Sequence, residues 1–259
     1  MRGMGGAYVT GGTRGIGFAV AKRLVEEGYD VSVCGSSAES VAACRAASAA
    51  QALNIHVDQT DVTDPEALRQ SLVAAAERSG DLKLVVCCAG QPVLGNAATL
   101  SLADWDRCLN LNLRSAFATV QAALDPLRAS GESAVVFIAS IWARVTGSDR
   151  VAYTTAKTAL TGLARALAVD HAKDGIRFNC VAPGYVETEL LHRSLAAAGH
   201  ADVEKELERI RAGHPLGRTV SVDDVADAVA FLGGPRARSI TGQTLYVDGG
   251  VSIRFAGLG

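Results

Sequence analysis

Short apolar runs alternate along this chain with longer stretches of mixed polarity. The runs at 7–10, 31–35, 53–58, 83–88, 134–139, 176–181 and 243–247 have the length and composition of strands lying inside a sheet. Between them, segments at about 15–28, 38–51, 65–79, 101–127, 150–173, 187–212 and 221–233 carry apolar positions at helical spacing. Boundary signals agree with this division. Asp64 before Pro65 reads as an N-cap and first helical residue, and Gly175 after Lys173-Asp174 as a helix stop. Ser101 with Asp104, and Ser221 with Asp224, resemble capping boxes with Asp in the place of the preferred Glu or Gln. Strands and helices in strict alternation predict an α/β fold, a doubly wound sheet of seven parallel strands with helices on both faces. The Gly5-Gly6 pair that opens the first strand is poor strand material.

No Pro/Gly/Ser-rich linker or charge block divides the chain, so residues 1–259 read as one domain. The 25 Lys and Arg against 27 Asp and Glu leave a net charge of −2 without a basic arm, which argues against a nucleic-acid partner. No apolar stretch approaches the roughly 20 residues that cross a bilayer, and the opening Met1-Arg-Gly-Met-Gly-Gly6 lacks a signal peptide's apolar run. A soluble, cytoplasmic protein with no membrane partner is expected. The six cysteines, at 34, 44, 87, 88, 108 and 180, show neither disulfide-framework nor zinc spacing and read as reduced structural thiols. His171, His192, His200 and His214 show no metal-ligand spacing and read as polar helix or loop residues, so no metal is expected.

Two clusters carry chemistry. Thr10-Gly-Gly-Thr-Arg-Gly-Ile-Gly17 lies between the first strand and the first helix. Glycine there lets backbone approach a pyrophosphate, and the helix N-terminus adds amide donors and a favourable dipole. The Gly11-x-x-x-Gly15-x-Gly17 spacing differs from the commoner Gly-x-Gly-x-x-Gly, but its strand–turn–helix context favours a nucleotide. Downstream, Tyr153 and Lys157 are one helical turn apart and share a helix face. An ammonium beside a phenol favours the phenolate, lowering its pKa from about 10 and suiting Tyr153 to proton transfer near neutral pH.

Thr10-Gly-x-x-x-Gly-x-Gly17, Ser140, Tyr153-x-x-x-Lys157 and Pro183-Gly184, in this order, resemble the short-chain dehydrogenase/reductase family, over about residue 7 to Gly250. Trp105-Asp106-Arg107 leading to Asn112-Leu113 is similar to the family's segment for a fourth catalytic residue, Asn112. Asn179–Gly184 resembles its nicotinamide-side loop, and Ile240–Gly250 its last strand. The resemblance implies a Rossmann fold and an NAD(P)-dependent oxidoreductase. It makes Tyr153 the proton donor to the substrate oxygen and Ser140 the group that orients that oxygen. Lys157 holds the nicotinamide ribose and biases Tyr153 toward ionisation, while Asn112 positions a water between Lys157 and solvent; Asn110, two residues away, reads as structural. It also assigns the dinucleotide to Gly11, Thr13, Arg14, Gly15, Ile16, Gly17, Ser36, Ser37, Asp61, Val62, Cys88, Ala89, Gly90, Pro183, Gly184, Val186 and Thr188, besides Tyr153 and Lys157. The family's usual Asn-Asn-Ala-Gly is Cys87-Cys-Ala-Gly90 here, so the Asn side-chain hydrogen bonds are lost.

Cofactor choice turns on the end of the second strand, Val33-Cys34-Gly35-Ser36-Ser37, where no carboxylate stands to bind ribose hydroxyls and repel a 2′-phosphate. Gly35 occupies the place where the family's NAD-preferring members carry an acid. With Arg14, Ser36 and Ser37 available to a phosphate, NADP (NADPH) is the expected cofactor and NAD the alternative. Gln91, Pro92, Val93, Ile141, Trp142, Arg144, Tyr185, Leu190 and Leu191 flank the catalytic segments as pocket candidates, with Gln91, Ser140, Trp142 and Tyr185 foremost, under a helical cover at 187–214. The expected reaction is reduction of a small ketone to a secondary alcohol, in a homotetramer (or homodimer). The runner-up is a 3-oxoacyl-(acyl-carrier-protein) reductase, whose basic docking residues correspond to Gly131 and Val169 here. An NAD-dependent secondary alcohol dehydrogenase, a catalytically silent nucleotide-binding regulator and a methyltransferase are further alternatives. The last two leave the Tyr-x-x-x-Lys unit unexplained.

Overall fold

The computed structural model describes residues 3–197 and 202–254. The strands are β1 (Gly6–Thr10), β2 (Asp30–Gly35), β3 (Ile55–Gln59), β4 (Leu82–Cys87), β5 (Ser133–Ile138), β6 (Ile176–Pro183) and β7 (Thr244–Val247). They form one sheet in the order β3-β2-β1-β4-β5-β6-β7, and every pair is parallel. The helices are α1 (Gly15–Glu26), α2 (Ala38–Ala50), α3 (Pro65–Ser79), α4 (Leu102–Leu109), α5 (Ser115–Ala129), α6 (Val151–Asp170), α7 (Glu189–Ala197), α8 (Val203–Gly213) and α9 (Val222–Gly233).

Successive side chains of a strand point to opposite faces, and the sheet therefore builds two cores. Ala7 and Val9 join Val31, Val33, Leu84 and Val86 against α1, α2 and α9. Tyr8 joins Val85, Val135, Phe137 and Phe178 against α3, α5 and α6. Both faces are covered, which is why the strands read as apolar runs rather than as alternating patterns. Gly6 belongs to β1 despite its poor propensity, because a Cβ there would run into the Ser79 side chain of α3. Tertiary closeness overrides local preference at that point.

Two predicted helices differ. The stretch 101–127 is interrupted by a π-helical turn, Asn110–Arg114, between α4 and α5. The stretch 187–212 divides into α7 and α8, which share a small apolar cluster of Leu195, Leu207 and Ile210. Residues 198–201 of that stretch, and 1, 2 and 255–259 of the predicted domain, lie outside the described residues. Among the described residues no helix is long and apolar enough to cross a membrane. No group of three His, Cys, Asp or Glu is placed there to hold a metal.

Strand order reverses at β1, which pairs with β2 on one side and β4 on the other. Such a reversal leaves a crevice at the carboxyl ends of the strands, where doubly wound folds bind ligands. Helix ends follow the boundary signals. Asp64 accepts from the N–H groups of Glu66 and Ala67 with Pro65 behind it, and Ser221 and Asp224 form a reciprocal box. At α4 the box is incomplete: Ser101 accepts from the Asp104 N–H, but Asp104 takes the serine hydroxyl rather than its backbone. The start of α9 thus rests on Ser221. Ser221→Ala is expected to cost about 1 kcal/mol, read as a lower urea midpoint at unchanged m-value.

Candidate active site

A cleft of about 660 Å³ opens at the carboxyl ends of the strands. All predicted dinucleotide residues line it, as do Gln91, Ser140, Trp142 and Tyr185. Strand order spreads them from one end to the other. Ser36, Ser37, Asp61 and Val62 follow β2 and β3 at one end, and Ser140, Pro183 and Gly184 follow β5 and β6 at the other. Cys88, Ala89 and Gly90, after β4, lie between, alongside the glycine turn after β1.

The donor set at the first end fits a dinucleotide. A Cβ on Gly17 would collide with the Gly11 carbonyl, so helix α1 comes this close to the turn only because residue 17 has no side chain. Arg14 sits at the N-cap of α1 and makes no side-chain cap bond there, which leaves the first helical N–H groups directed at the turn. Arg14 and Ser36 are exposed at this end. Ser37 has a structural duty as well: its Oγ caps α2 by accepting from the Ser40 N–H at 3.1 Å. Asp61 is likewise engaged, its Oδ1 accepting from both the N–H and the hydroxyl of Thr63. Thr10 holds the segment after β4: its Oγ1 accepts from the N–H of Cys88 at 3.1 Å and of Ala89 at 3.3 Å. The sequence offered no sign of that role. Gly35 is more constrained than its spacing suggests. A Cβ there would stand 2.6 Å from Thr13 Oγ1, so an acid at this position displaces a neighbour before it meets any ligand.

At the second end, β5 delivers Ser140 in extended conformation and α6 delivers Tyr153 and Lys157. Ser140 Oγ accepts from the Trp142 N–H at 3.3 Å, and its hydroxyl is hydrogen-bonded with Tyr153. Lys157 belongs to the buried stripe of α6, beside Ala156 and Leu160, and its Nζ donates to the Ile138 carbonyl at 2.8 Å. Asn112 does not line the cleft. The π-helical turn buries it behind Gly90, where its Nδ2 donates to the carbonyls of Gln91 and Cys108 at 2.9 and 3.0 Å. Its Oδ1 is buried without a hydrogen-bond partner and lies where a Cβ on Gly90 would come within 2.5 Å. Asn110 accepts from Arg114 on the same turn and has no place at the site.

The expected lowering of the Tyr153 pKa is not what the structure shows. Burial pushes the phenol up, and the opposing influences are the Arg150 charge and a hydrogen bond with Ser140. Lys157 lies over the ring, 5.5 Å from its centroid, and burial pulls its own ammonium down to about 8. For both groups desolvation outweighs the influences that favour the charged form. The thiols behave as structural groups: burial pushes Cys34 and Cys88 up to about 11 and Cys180 up to about 12.

Other expectations change too. Val93, Ile141 and Arg144 do not line the cleft. Ile141 is core, and the Arg144 guanidinium stacks on Tyr246, 3.9 Å from the ring centroid. Arg150, which was not among the expected pocket residues, lines the cleft instead. His214, the loop residue that ends α8, is buried; its Nδ1 donates to the Ile210 carbonyl at 2.7 Å, and its ring meets Tyr185 edge-on. Trp142 packs edge-on against the same tyrosine, so the two rings form one aromatic wall. Gly131 and Val169 stand at the opposite ends of the strands from the cleft, before β5 and at the end of α6. They are not beside this chain's cleft, so their lack of charge says nothing about its mouth.

A buried ammonium loosens the fold in return for its role. Lys157→Met is expected to raise the melting temperature of the cofactor-free protein. Because the native pKa of about 8 is below the ordinary 10.5, the penalty is full below pH 8. It fades as pH rises toward 10.5, since the unfolded chain then holds the extra proton. The gap between variant and wild type, followed by calorimetry, should be widest below pH 8 and narrow above it.

Comparison with known proteins agrees with this geometry. A family profile described as enoyl-(acyl carrier protein) reductase matches residues 11–252. A tropinone reductase homolog of Arabidopsis thaliana is 35% identical over 249 residues, spanning 95% of this chain and 92% of that protein. A 3-oxoacyl-(acyl-carrier-protein) reductase of Aggregatibacter actinomycetemcomitans is 34% identical over 245 residues, spanning 94% and 97%. A crystal structure of an actinorhodin polyketide ketoreductase variant with NADPH aligns at a TM-score of 0.90 and 29% identity, covering 96% of this chain and 98% of that one. The protein thus belongs to the short-chain dehydrogenase/reductase family, NAD(P)-dependent oxidoreductases acting on CH–OH and C=O groups.

Proposed function

We propose that this protein uses NADPH to reduce a small, free ketone to a secondary alcohol, reversibly, in the cytoplasm. The observation that carries the reading is one continuous cleft with a proton-transfer group at one end and, at the other, an exposed arginine and no carboxylate at the end of β2. Bound NADPH supplies hydride to the carbonyl carbon. Ser140 redirects its hydroxyl from Tyr153 to the carbonyl oxygen and orients it. Tyr153, kept protonated by burial, hands its proton to that oxygen as negative charge develops. Lys157 gives one N–H to Ile138, and its remaining donors would hold the nicotinamide ribose of a bound cofactor. The unpaired Oδ1 of Asn112 accepts from a water that refills the proton path. A phenol with a raised pKa suits reduction at neutral pH, because the reverse reaction needs it ionised. The start of the 187–214 segment covers the substrate, since Glu187, Thr188, Leu190, Leu191 and Ser194 line the cleft.

Assembly as a homotetramer accounts for the surface of α4 and α5. There Phe117 is 41% exposed and shares a groove with Leu109, Leu113 and Leu163. Light scattering on purified protein tests this. The likeness to an acyl-carrier-protein reductase keeps a carrier-linked substrate as the second reading, and turnover of an acyl carrier thioester but not of free ketones would establish it.

Tyr153→Phe is expected to retain NADPH binding, followed by cofactor fluorescence, while turnover falls about 10²–10⁴-fold. Near wild-type turnover in a variant that binds cofactor would remove Tyr153 from its role.

Cofactor choice is better tested at Ser36 than at Gly35, whose Cβ would strike Thr13. Ser36→Asp should shift the ratio of kcat/KM values from NADPH toward NADH by repelling a phosphate of about −1.5 to −2 charges. Adding Arg14→Ala should shift it further. A wild type that already favours NADH refutes the NADPH assignment outright.

A further inference from the structure

Arg150 stands at the N-cap of α6, three residues before Tyr153, and lines the catalytic end of the cleft. Its guanidinium lies 5.6 Å from the centroid of the Trp142 ring. Its charge favours the ionised forms of both Tyr153 and Tyr185, so it is felt on two sides of the space beside the phenol. Among the described residues no carboxylate pairs with it. The acids lining this part of the cleft are committed elsewhere: Glu187 accepts from Arg211 at 2.7 Å, and Glu189 pairs with Arg193 at 3.7 Å. Of the other cations of the cleft, Arg14 and Lys22 lie at the glycine turn and on α1, Lys157 donates to the Ile138 carbonyl, and Arg193 pairs with Glu189. A partly buried guanidinium with five N–H donors, one face near an indole and no anion beside it, is set up for a planar, bidentate anionic ligand.

We propose that the substrate carries a carboxylate held by Arg150 and an apolar body against the Trp142–Tyr185 wall, making it a short oxo acid reduced to a hydroxy acid. This rests on the oxidoreductase reading and narrows its substrate. The separation of one helical turn between Arg150 and Tyr153, roughly 5–6 Å at Cβ, keeps the carboxylate within a few bonds of the carbonyl. In the reaction the carbonyl carbon accepts a hydride from NADPH, which leaves as NADP⁺. The carbonyl oxygen accepts the Tyr153 proton, C=O becomes CH–OH, and the carboxylate is unchanged.

Initial rates with acetoacetate and levulinate, each against its methyl ester, and with NADPH and NADH in parallel, test the assignment. Wild type should favour the acids. Arg150→Gln should cut the acid-to-ester ratio of kcat/KM about 10- to 100-fold, the range of a charged hydrogen bond, mainly through KM. Arg150→Lys should restore part of it, and cofactor fluorescence checks that both variants bind NADPH as wild type does. Esters reduced as well as acids by wild type, or an unchanged ratio in Arg150→Gln, overturns the carboxylate while leaving the reductase standing. Absence of reduction of every ketone with either cofactor removes both.

Discussion

The contact between the Lys157 ammonium and the Ile138 carbonyl ties the catalytic end of this protein together. It joins the inner stripe of α6 to the last residue of β5, two positions before Ser140. Tyr153 is one turn back on the same helix, so fixing Lys157 against β5 also fixes the distance between phenol and serine. A lysine on a stripe otherwise made of Ala152, Ala156, Leu160 and Ala164 has no reason to be there for packing. Its desolvation is a standing cost, and a single backbone oxygen offsets only part of it.

Much of this was legible in the sequence. Apolar runs gave the strands because both sheet faces are covered, and Asp64-Pro65 and Ser221 with Asp224 gave helix starts because capping is local chemistry. Glycine spacing located the turn, since Gly17 is demanded by contact with Gly11. What escaped depends on distances between elements. Thr10 is an ordinary strand residue until β4 is laid beside β1 and its hydroxyl meets the amides of Cys88 and Ala89. Arg144 and Arg150 are equally charged and equally close to the motifs in sequence; the backbone between them turns one onto Tyr246 and the other into the cleft. The sign of the Tyr153 shift escaped for the same reason. A charge four residues away is visible in a sequence, whereas the removal of water around the pair is not.

The two ends of the cleft are built on different principles. The glycine turn offers a ligand backbone amides, a helix terminus and exposed hydroxyls, groups that depend little on the identity of most side chains there. At the other end the work is done by buried side chains whose protonation is set by their surroundings. Substitutions at the first end should redirect the choice of cofactor, and those at the second should alter chemistry or folding.

The π-helical turn at Asn110–Arg114 holds one residue more than a regular helix would need to pass from α4 to α5. Each residue of a helix advances the facing direction by about 100°. Loss of any one residue from this turn would let the two helices fuse into a single regular rod. The register of α4 relative to α5 would swing by that angle, and the Asn112 amide would leave the space behind Gly90. Length variation at this position is therefore more damaging than most substitutions in it, which makes the turn a built-in register mark for the whole α4–α5 arm.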